Sequence, residues 1–525
     1  MAQPTVLDTT YDILRAHGMT TMFGNPGSNE LPFLAGMPAD FRYVLGLHEG
    51  AVVGMADGYA QATGAPVFVS LHAASGTGNA MGALTNAHYS HSPLVLLAGQ
   101  QVRDTVGQEV MLSSVDAALL PRPLVKHSHE PLAPADVSRS VAHAIHEATS
   151  HPRGPVYLSV PYDDWAHSSS ADDALLAGRR VTAAAGLDDA QADALVARLD
   201  GAANPVLVLG PDVDAERAQP AAVALAEKLG APVWIAPSPS RCPFPTTHPH
   251  FRGQLPTGRS ALRELLAGHD LIVVAGAPVF RYHRYEQGTY LPDGAELIQL
   301  TQDGAEASRA AFGDSIVAPV GPALAVLAER TTDRGARLEP RPEPVVRRVD
   351  GALTGEEILE VLSAHAAPHI TYVNETTSLD TMFLERVAMT EPDSYHFPAS
   401  GGLGFGLPAA VGISLARPDD TVVAVVGDGS ANYGITALWT AAQQGTRTVF
   451  VIANNGTYQA LRGFAAALDA LDAPGLDVPG IDFVSLAGGY GVPASRVDTL
   501  PAFREAYEAA LASSGPVLID ARIVA

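Results

Sequence analysis

Short apolar runs recur along the chain, and most are continuous rather than alternating. "APVFVSLH", "SPLVLLAGQ", "GPVYLSVP", "NPVLVLGP", "DLIVVAGAP", "TVVAVVGDG" and "TVFVIANN" are the clearest. Continuous runs predict strands buried on both faces. Small or polar residues and then a helical period follow each run, and that alternation predicts parallel α/β sheets. In such sheets ligands bind at the carboxyl ends of strands. Two strand-poor seams interrupt the pattern, "AHSSSADDALLAGRRVTAAAGLDD" near 166–190 and the Pro- and Arg-rich "TTDRGARLEPRPEPVVRRVD" at 331–350. They divide the chain into three α/β blocks, 1–180, 181–340 and 341–525.

Composition narrows the classes. With 525 residues, 47% apolar and 17% charged, the chain has a globular, multidomain make-up. Its net charge of −24 argues against a nucleic-acid binder but leaves room for an anionic substrate in a locally positive site. The one cysteine, Cys242, excludes a disulfide framework or a cysteine metal site within the chain. The start, "MAQPTVLDTTYDILRAHG", lacks the basic-then-apolar form of a signal peptide, and no apolar run approaches ~18 residues. The expectation is a cytoplasmic protein with no membrane or nucleic-acid partner.

The stretch from Val422 to Tyr458 carries the sharpest chemistry. One strand ends in Gly-Asp-Gly-Ser and the next in Asn-Asn-Gly-Thr, with Ile435, Leu438, Trp439 and Ala442 at helical spacing between them. A glycine turn opening a helix offers backbone N–H groups to an anion. Asp428 in that turn would repel a phosphate unless a cation lay between them. Asn455 ends the following strand and can bring a neutral oxygen to the same ion. Asp428, Asn455, the Thr457 carbonyl, two diphosphate oxygens and a water complete the octahedron that Mg²⁺ requires. Either half alone is an ordinary turn, since Asn-Gly is also a hairpin signal. Together, after successive strands, they predict a metal-bridged diphosphate site.

"GDGS" followed after some two dozen residues by "NN" resembles the signature of thiamine-diphosphate enzymes. "FGNPGSNELPF", "GTGNAMGAL", "VYLSVPYDDW", "APVFRYH" and "GGLGFGLPAA", spread over all three blocks, resemble segments of its 2-keto acid decarboxylases. The resemblance implies three doubly wound parallel-sheet domains: pyrimidine-binding (1–180), central (181–340) and diphosphate-binding (341–525). It implies thiamine diphosphate and Mg²⁺ as cofactors, with Ca²⁺ able to stand in. It also implies a homo-oligomer, a tetramer built as a dimer of dimers, with each site at a subunit interface.

Roles carried over by resemblance attach to particular residues. Glu49, otherwise an ordinary acid in a helix's first turn, matches the glutamate that bonds the aminopyrimidine ring and promotes formation of the ylid. His72 and His283, otherwise structural histidines, match the proton carriers. His72 is assigned to protonation after substrate addition, and His283 to protonation of the enamine and product release. Ser28, otherwise a helix N-cap, matches the contact to the substrate carboxylate. Leu403 props the cofactor into its bent form and Gly401 offers a backbone oxygen to its ring. Thr377, Ser378, Gly429, Ser430 and Tyr458 join Asp428 around the diphosphate.

The aryl wall would draw on Met111, Leu112, Phe397, Ala460, Leu461 and Phe464. Burying a phenyl group there is worth on the order of 2 kcal/mol, which favours benzoylformate, giving benzaldehyde and CO₂, over pyruvate. Pro398 and Gly463 depart from the family pattern, which has a large aromatic at the second position. Glycine there would open the region beside Phe464 and widen the range toward longer aliphatic 2-keto acids. His72 lacks the neighbouring histidine of pyruvate decarboxylases. A carboligase or acetohydroxyacid-synthase-like enzyme, with FAD in the central block, is a second reading, although residues 181–340 show no G-x-G-x-x-G. A non-catalytic ligand-binding protein is a third, opposed by the intact Glu49, His72, His283 and Asp428.

Overall fold

The computed structural model describes residues 3–183, 186–280 and 285–524. These form two compact units, Met1–Ala183 with Pro398–Val497 and Glu505–Arg522, and Ala184–Phe397 with Asp498–Arg504 and Ile523–Ala525. The chain contains three parallel α/β sheets, one in each block between the predicted seams.

The first sheet holds β1 (Thr21–Gly24), β2 (Arg42–Leu45), β3 (Val67–Leu71), β4 (Leu94–Gln100), β5 (His127–His129) and β6 (Val156–Pro161), in the order β2-β1-β3-β4-β6-β5. Its pairs are parallel, and β3, β4 and β6 are buried at every position, as their continuous apolar runs predict. Val6, Ile13 and Leu14 of helix Val6–Ala16 and Val141 and Ile145 of helix Val137–Thr149 cover one face, packing with Met22, Phe68, Val95 and Leu158.

The second sheet holds β7 (Pro205–Leu209), β8 (Val233–Ile235), β9 (Phe251–Gln254), β10 (Leu271–Ala275), β11 (Glu296–Thr301) and β12 (Asp314–Val317), in the order β12-β11-β10-β7-β8-β9. Val206, Val208, Ile272 and Val274 form its core with Leu262 and Leu266.

The third sheet is built from β13 (Leu353–Thr354), β14 (Ile370–Glu375), β15 (Tyr395–His396), β16 (Thr421–Gly427), β17 (Thr448–Asn454), β18 (Ala494–Val497) and β19 (Val517–Val524). In the first unit β16 pairs with β17, and β17 with β19, which also receives β18. In the second unit β14 pairs with β15, and β13 with the last residues of β19. No helix among the described residues is long and apolar enough to cross a membrane.

The single helix expected between β16 and β17 is instead two, Asp428–Gly434 and Ala437–Gln444. Asn432-Tyr433-Gly434 is a poor helix sequence. A Cβ on Gly434 would lie 2.7 Å from the Pro408 ring, so the break follows a close contact that the apolar period does not record.

Helix Glu49–Thr63 is buried almost all round, and its small residues explain how. It packs on helices Ala73–Tyr89 and Gly406–Ala416. An added Cβ on Gly58 would stand 2.3 Å from the Ala409 carbonyl oxygen, and one on Gly412 would stand 1.9 Å from the Met55 carbonyl oxygen. Backbone here meets backbone, so neither neighbour can rotate away. Gly412→Ala should therefore lower the urea midpoint, costing about 1–3 kcal/mol. Gly82→Ala, on helix Ala73–Tyr89 where an added Cβ meets nothing within 4 Å, should leave it unchanged or slightly raised.

Candidate active site

The predicted residues gather at the carboxyl ends of strands in two groups. In the first sheet, β1 leads into Asn25-Pro26-Gly27-Ser28, β2 into the helix that opens with Glu49, and β3 into His72. Because β2, β1 and β3 are neighbours, these three turns lie side by side.

Glu49 is 6% exposed. Its Oε1 accepts from Asn25 Nδ2 at 3.3 Å and its Oε2 from Asn79 Nδ2 at 3.0 Å. It does stand in a helix's first turn, yet the cap is His48, whose side chain accepts the Gly50 N–H. Gly76 leaves room for it, since a Cβ there would lie 3.1 Å from Oε1.

His72 follows β3 as the N-cap of the next helix, just before Ala73, which has φ +44°, a left-handed conformation that an alanine adopts only under strain. Its Nδ1 lies 2.8 Å from Oε2 of Glu30, a side chain with no exposed surface. The same Oε2 accepts the Gly27 N–H at 2.9 Å, and Oε1 accepts the Gly99 N–H at 2.9 Å. Ser28 caps no helix: the helix that follows, Leu31–Ala35, has Glu30 as its N-cap and no side-chain capping bond. Ser28 is exposed in the turn, with its hydroxyl 3.4 Å from Asn29 Oδ1.

The second group lies at the ends of β16 and β17, which are also neighbours. Asp428 is 3% exposed. Its Oδ1 accepts the Gly429 N–H at 2.9 Å and its Oδ2 the Gly456 N–H at 2.6 Å. Burial holds its carboxyl above the ordinary aspartate range, opposed by those two N–H groups. A dication beside it would relieve that cost. Of the Asn pair, Asn454 is structural, donating to Asp520 at 2.8 Å. Asn455 turns into the loop, and its Oδ1 accepts the Thr457 N–H at 3.1 Å. Ser430 is buried in the turn's helix. The Tyr458 ring lies over the turn, so close that a Cβ on Gly429 would meet it at 2.3 Å. This cradle of backbone N–H groups, a buried carboxylate and a neighbouring amide oxygen fits a hard cation and a diphosphate.

Gly401 has φ +75°, and half-buried Leu403 follows it. The Gly402 carbonyl accepts from Asn86 Nδ2 at 2.8 Å, tying this loop to helix Ala73–Tyr89. Thr377 and Ser378 are exposed in the turn after β14, in the other unit, which also contains buried Phe397. Met111, 86% exposed, and Leu112 share a surface loop, where Asn29 Nδ2 donates to the Leu112 carbonyl at 3.3 Å. Ala460, Leu461 and Phe464 ride on helix Gln459–Ala467. A Cβ on Gly463 would meet nothing within 4 Å, so this departure leaves open space. His283 lies outside the described residues. Among the described residues, no hydrogen bond or ion pair links Glu49 or His72 to Asp428 or Asn455.

Sequence reasoning passed over Glu30, Asn25, Asn79 and Asn86. The partners of Glu30, Asn25 and Asn79 lie tens of residues away across the first sheet, and that of Asn86 lies 316 positions away, so no local pattern marks any of them.

Three family models match in chain order. They are the thiamine pyrophosphate enzyme N-terminal TPP binding domain (residues 4–120), the central domain (192–329) and the C-terminal TPP binding domain (377–521). The chain belongs to the thiamine pyrophosphate enzyme family. Within it, the chain is 57% identical, over 98% of both sequences, to a benzoylformate decarboxylase of Pseudomonas aeruginosa. The structure of a 4-hydroxybenzoylformate decarboxylase from Rhodococcus jostii RHA1 superposes with a TM-score of 0.97 at 57% identity, covering 99% of each chain. A putative acetolactate synthase large subunit of Mycobacterium tuberculosis matches at 30% identity over 96% of each chain.

Proposed function

We propose that this protein decarboxylates an aromatic 2-keto acid without oxidation, converting benzoylformate to benzaldehyde and CO₂ with thiamine diphosphate. The observation that carries this reading is the 57% identity over 98% of both chains to a benzoylformate decarboxylase, with Glu49, His72 and Asp428 intact. The acetolactate synthase relative stands well below that identity. When bound, the cofactor accepts the electron pair released as CO₂ leaves.

The chain's own residues bind, orient and move protons. Asp428, Asn455 and the Thr457 carbonyl would hold Mg²⁺, which would neutralise the diphosphate charge. Gly429, Ser430, Tyr458, Thr377 and Ser378 surround the diphosphate, and Gly401 and Leu403 hold the rings. Glu49, steadied by Asn25 and Asn79, would hold a proton at its carboxyl group for the cofactor's aminopyrimidine ring. Ser28 has no capping duty, which supports a role in meeting the substrate carboxylate. His72 and His283 carry protons, and Met111, Leu112, Phe397, Ala460, Leu461 and Phe464 line the aryl side. The open space at Gly463 supports acceptance of larger 2-keto acids.

The working form is a homo-oligomer, a tetramer, in which the first group from one subunit meets the second group from another. Met111, Leu112, Leu461 and Leu468, apolar side chains that stand exposed in a single chain, support this. Domain limits at 1–180, 181–340 and 341–525 go with this arrangement.

The test is CO₂ release across a panel of 2-keto acids with Mg²⁺ and thiamine diphosphate. Benzoylformate should be turned over faster than pyruvate, and no release from any aryl 2-keto acid would refute the reading. Glu49→Gln should lower kcat by about 10²-fold or more and slow proton exchange at C2 of the bound cofactor. Asp428→Asn should abolish the rise in Tm that Mg²⁺ and thiamine diphosphate confer together, a rise worth about 2.7 kcal/mol at a hundredfold excess over Kd in the unaltered protein.

A further inference from the structure

Glu30 is an enclosed acid beside the first group; it lies in the segment "FGNPGSNELPF", and none of the roles above uses it. It is 1% exposed, and each of its oxygens faces a backbone N–H that can only donate. The one remaining partner is His72 Nδ1, on Oε2. Two donors fixed in the backbone favour the carboxylate as an acceptor throughout. The hydrogen of that third bond then resides on Nδ1. The imidazole presents its other nitrogen, Nε2, as a lone pair, and no hydrogen bond to Nε2 occurs among the described residues. The ring is 21% exposed, so a route to it remains.

Two glycines show that the pair is built into the fold. An added Cβ on Gly99 would stand 2.4 Å from Glu30 Oε1, and one on Gly27 would stand 2.0 Å from His72 Nδ1. Any side chain at Gly27 would push the ring off the carboxylate. Gly99 lies within β4 and Gly27 in the turn that follows β1, so one donor is held by the sheet and the other by the turn at its carboxyl end.

We propose that Glu30 is a positioning residue for His72, fixing the tautomer in which Nε2 takes a proton and returns it. This rests on the proposed decarboxylation, in which His72 carries a proton. Nε2 takes a proton from solvent, which makes the ring a cation beside the Glu30 carboxylate, and gives that proton up after substrate addition while the Nδ1 hydrogen stays where it is. One proton enters the pair and one leaves in each turnover, so the pair ends as it began.

Glu30→Gln tests this. Whichever way its amide turns, a glutamine sets an N–H against one of the two backbone donors, and it offers His72 no carboxylate once the ring is a cation. With benzoylformate, kcat should fall about 10²-fold or more while KM changes less than about threefold. In a His72→Ala background the same substitution should change kcat less than about threefold, because Glu30 acts only through the ring. Gly27→Ala leaves Glu30 intact and displaces the ring; it should reproduce the kcat loss, and should be tolerated without further loss once His72 is alanine. If Glu30→Gln does not fold, Gly27→Ala carries the test alone. Wild-type kcat in either single variant, or losses that multiply in the double variants, would overturn the assignment. Failure of the unaltered enzyme to release CO₂ would instead refute the proposed reaction.

Discussion

The contact on which the site depends is the glycine-lined crossing of helices Glu49–Thr63 and Gly406–Ala416. Gly58 approaches the Ala409 carbonyl and Gly412 the Met55 carbonyl, so the two backbones touch with no side chain between them. Each helix begins at the chemistry. The first opens with Glu49, and the second follows directly on the Gly401–Leu403 loop. A crossing without adjustable side chains sets both starting points rigidly, as an active site needs. Asn86 adds a second tie, from helix Ala73–Tyr89 to the Gly402 carbonyl.

From that frame the chemistry separates into an acid–base group and an anchoring group. In the first, every titratable side chain has a fixed partner: Glu49 between Asn25 and Asn79, and His72 against Glu30. In the second, Asp428 is held by backbone N–H groups and left short of solvation by its burial. A carboxylate desolvated in this way gains most when a dication arrives. Protein stability and cofactor binding are therefore coupled at Asp428 in a way they are not at Glu49, which already has its donors.

Much of this was legible in the chain. The strands under "TVVAVVGDG" and "TVFVIANN" appear where the apolar runs predicted them, and Asp428 and Asn455 stand at their carboxyl ends. Runs buried on both faces carry an unambiguous signal. The break in the helix after Asp428 has only a weak local signal in Asn432-Tyr433-Gly434, and the close approach of Gly434 to Pro408 leaves no trace in the apolar period. Ser28 reads locally as a cap, yet the turn is closed instead by Glu30, whose carboxylate accepts the Gly27 N–H. Glu30 itself has no local signature, since its partner His72 is 42 positions away and is brought to it only by the sheet order. Recognition of His72 and Glu49 as candidates came from family resemblance, since a single histidine or glutamate has no periodicity to betray it.

The central claim is that one chain carries both groups and another copy completes each site. Mixing Glu49→Gln subunits with Asp428→Asn subunits, after dissociation and reassembly, tests it most directly. Each variant alone should be close to inactive. If the site joins the first group of one subunit to the second group of its neighbour, half of the sites in every mixed pair are unaltered, and random mixing restores about a quarter of wild-type activity. A site formed within one chain would leave the mixture as inactive as its components, and that result would contradict the account.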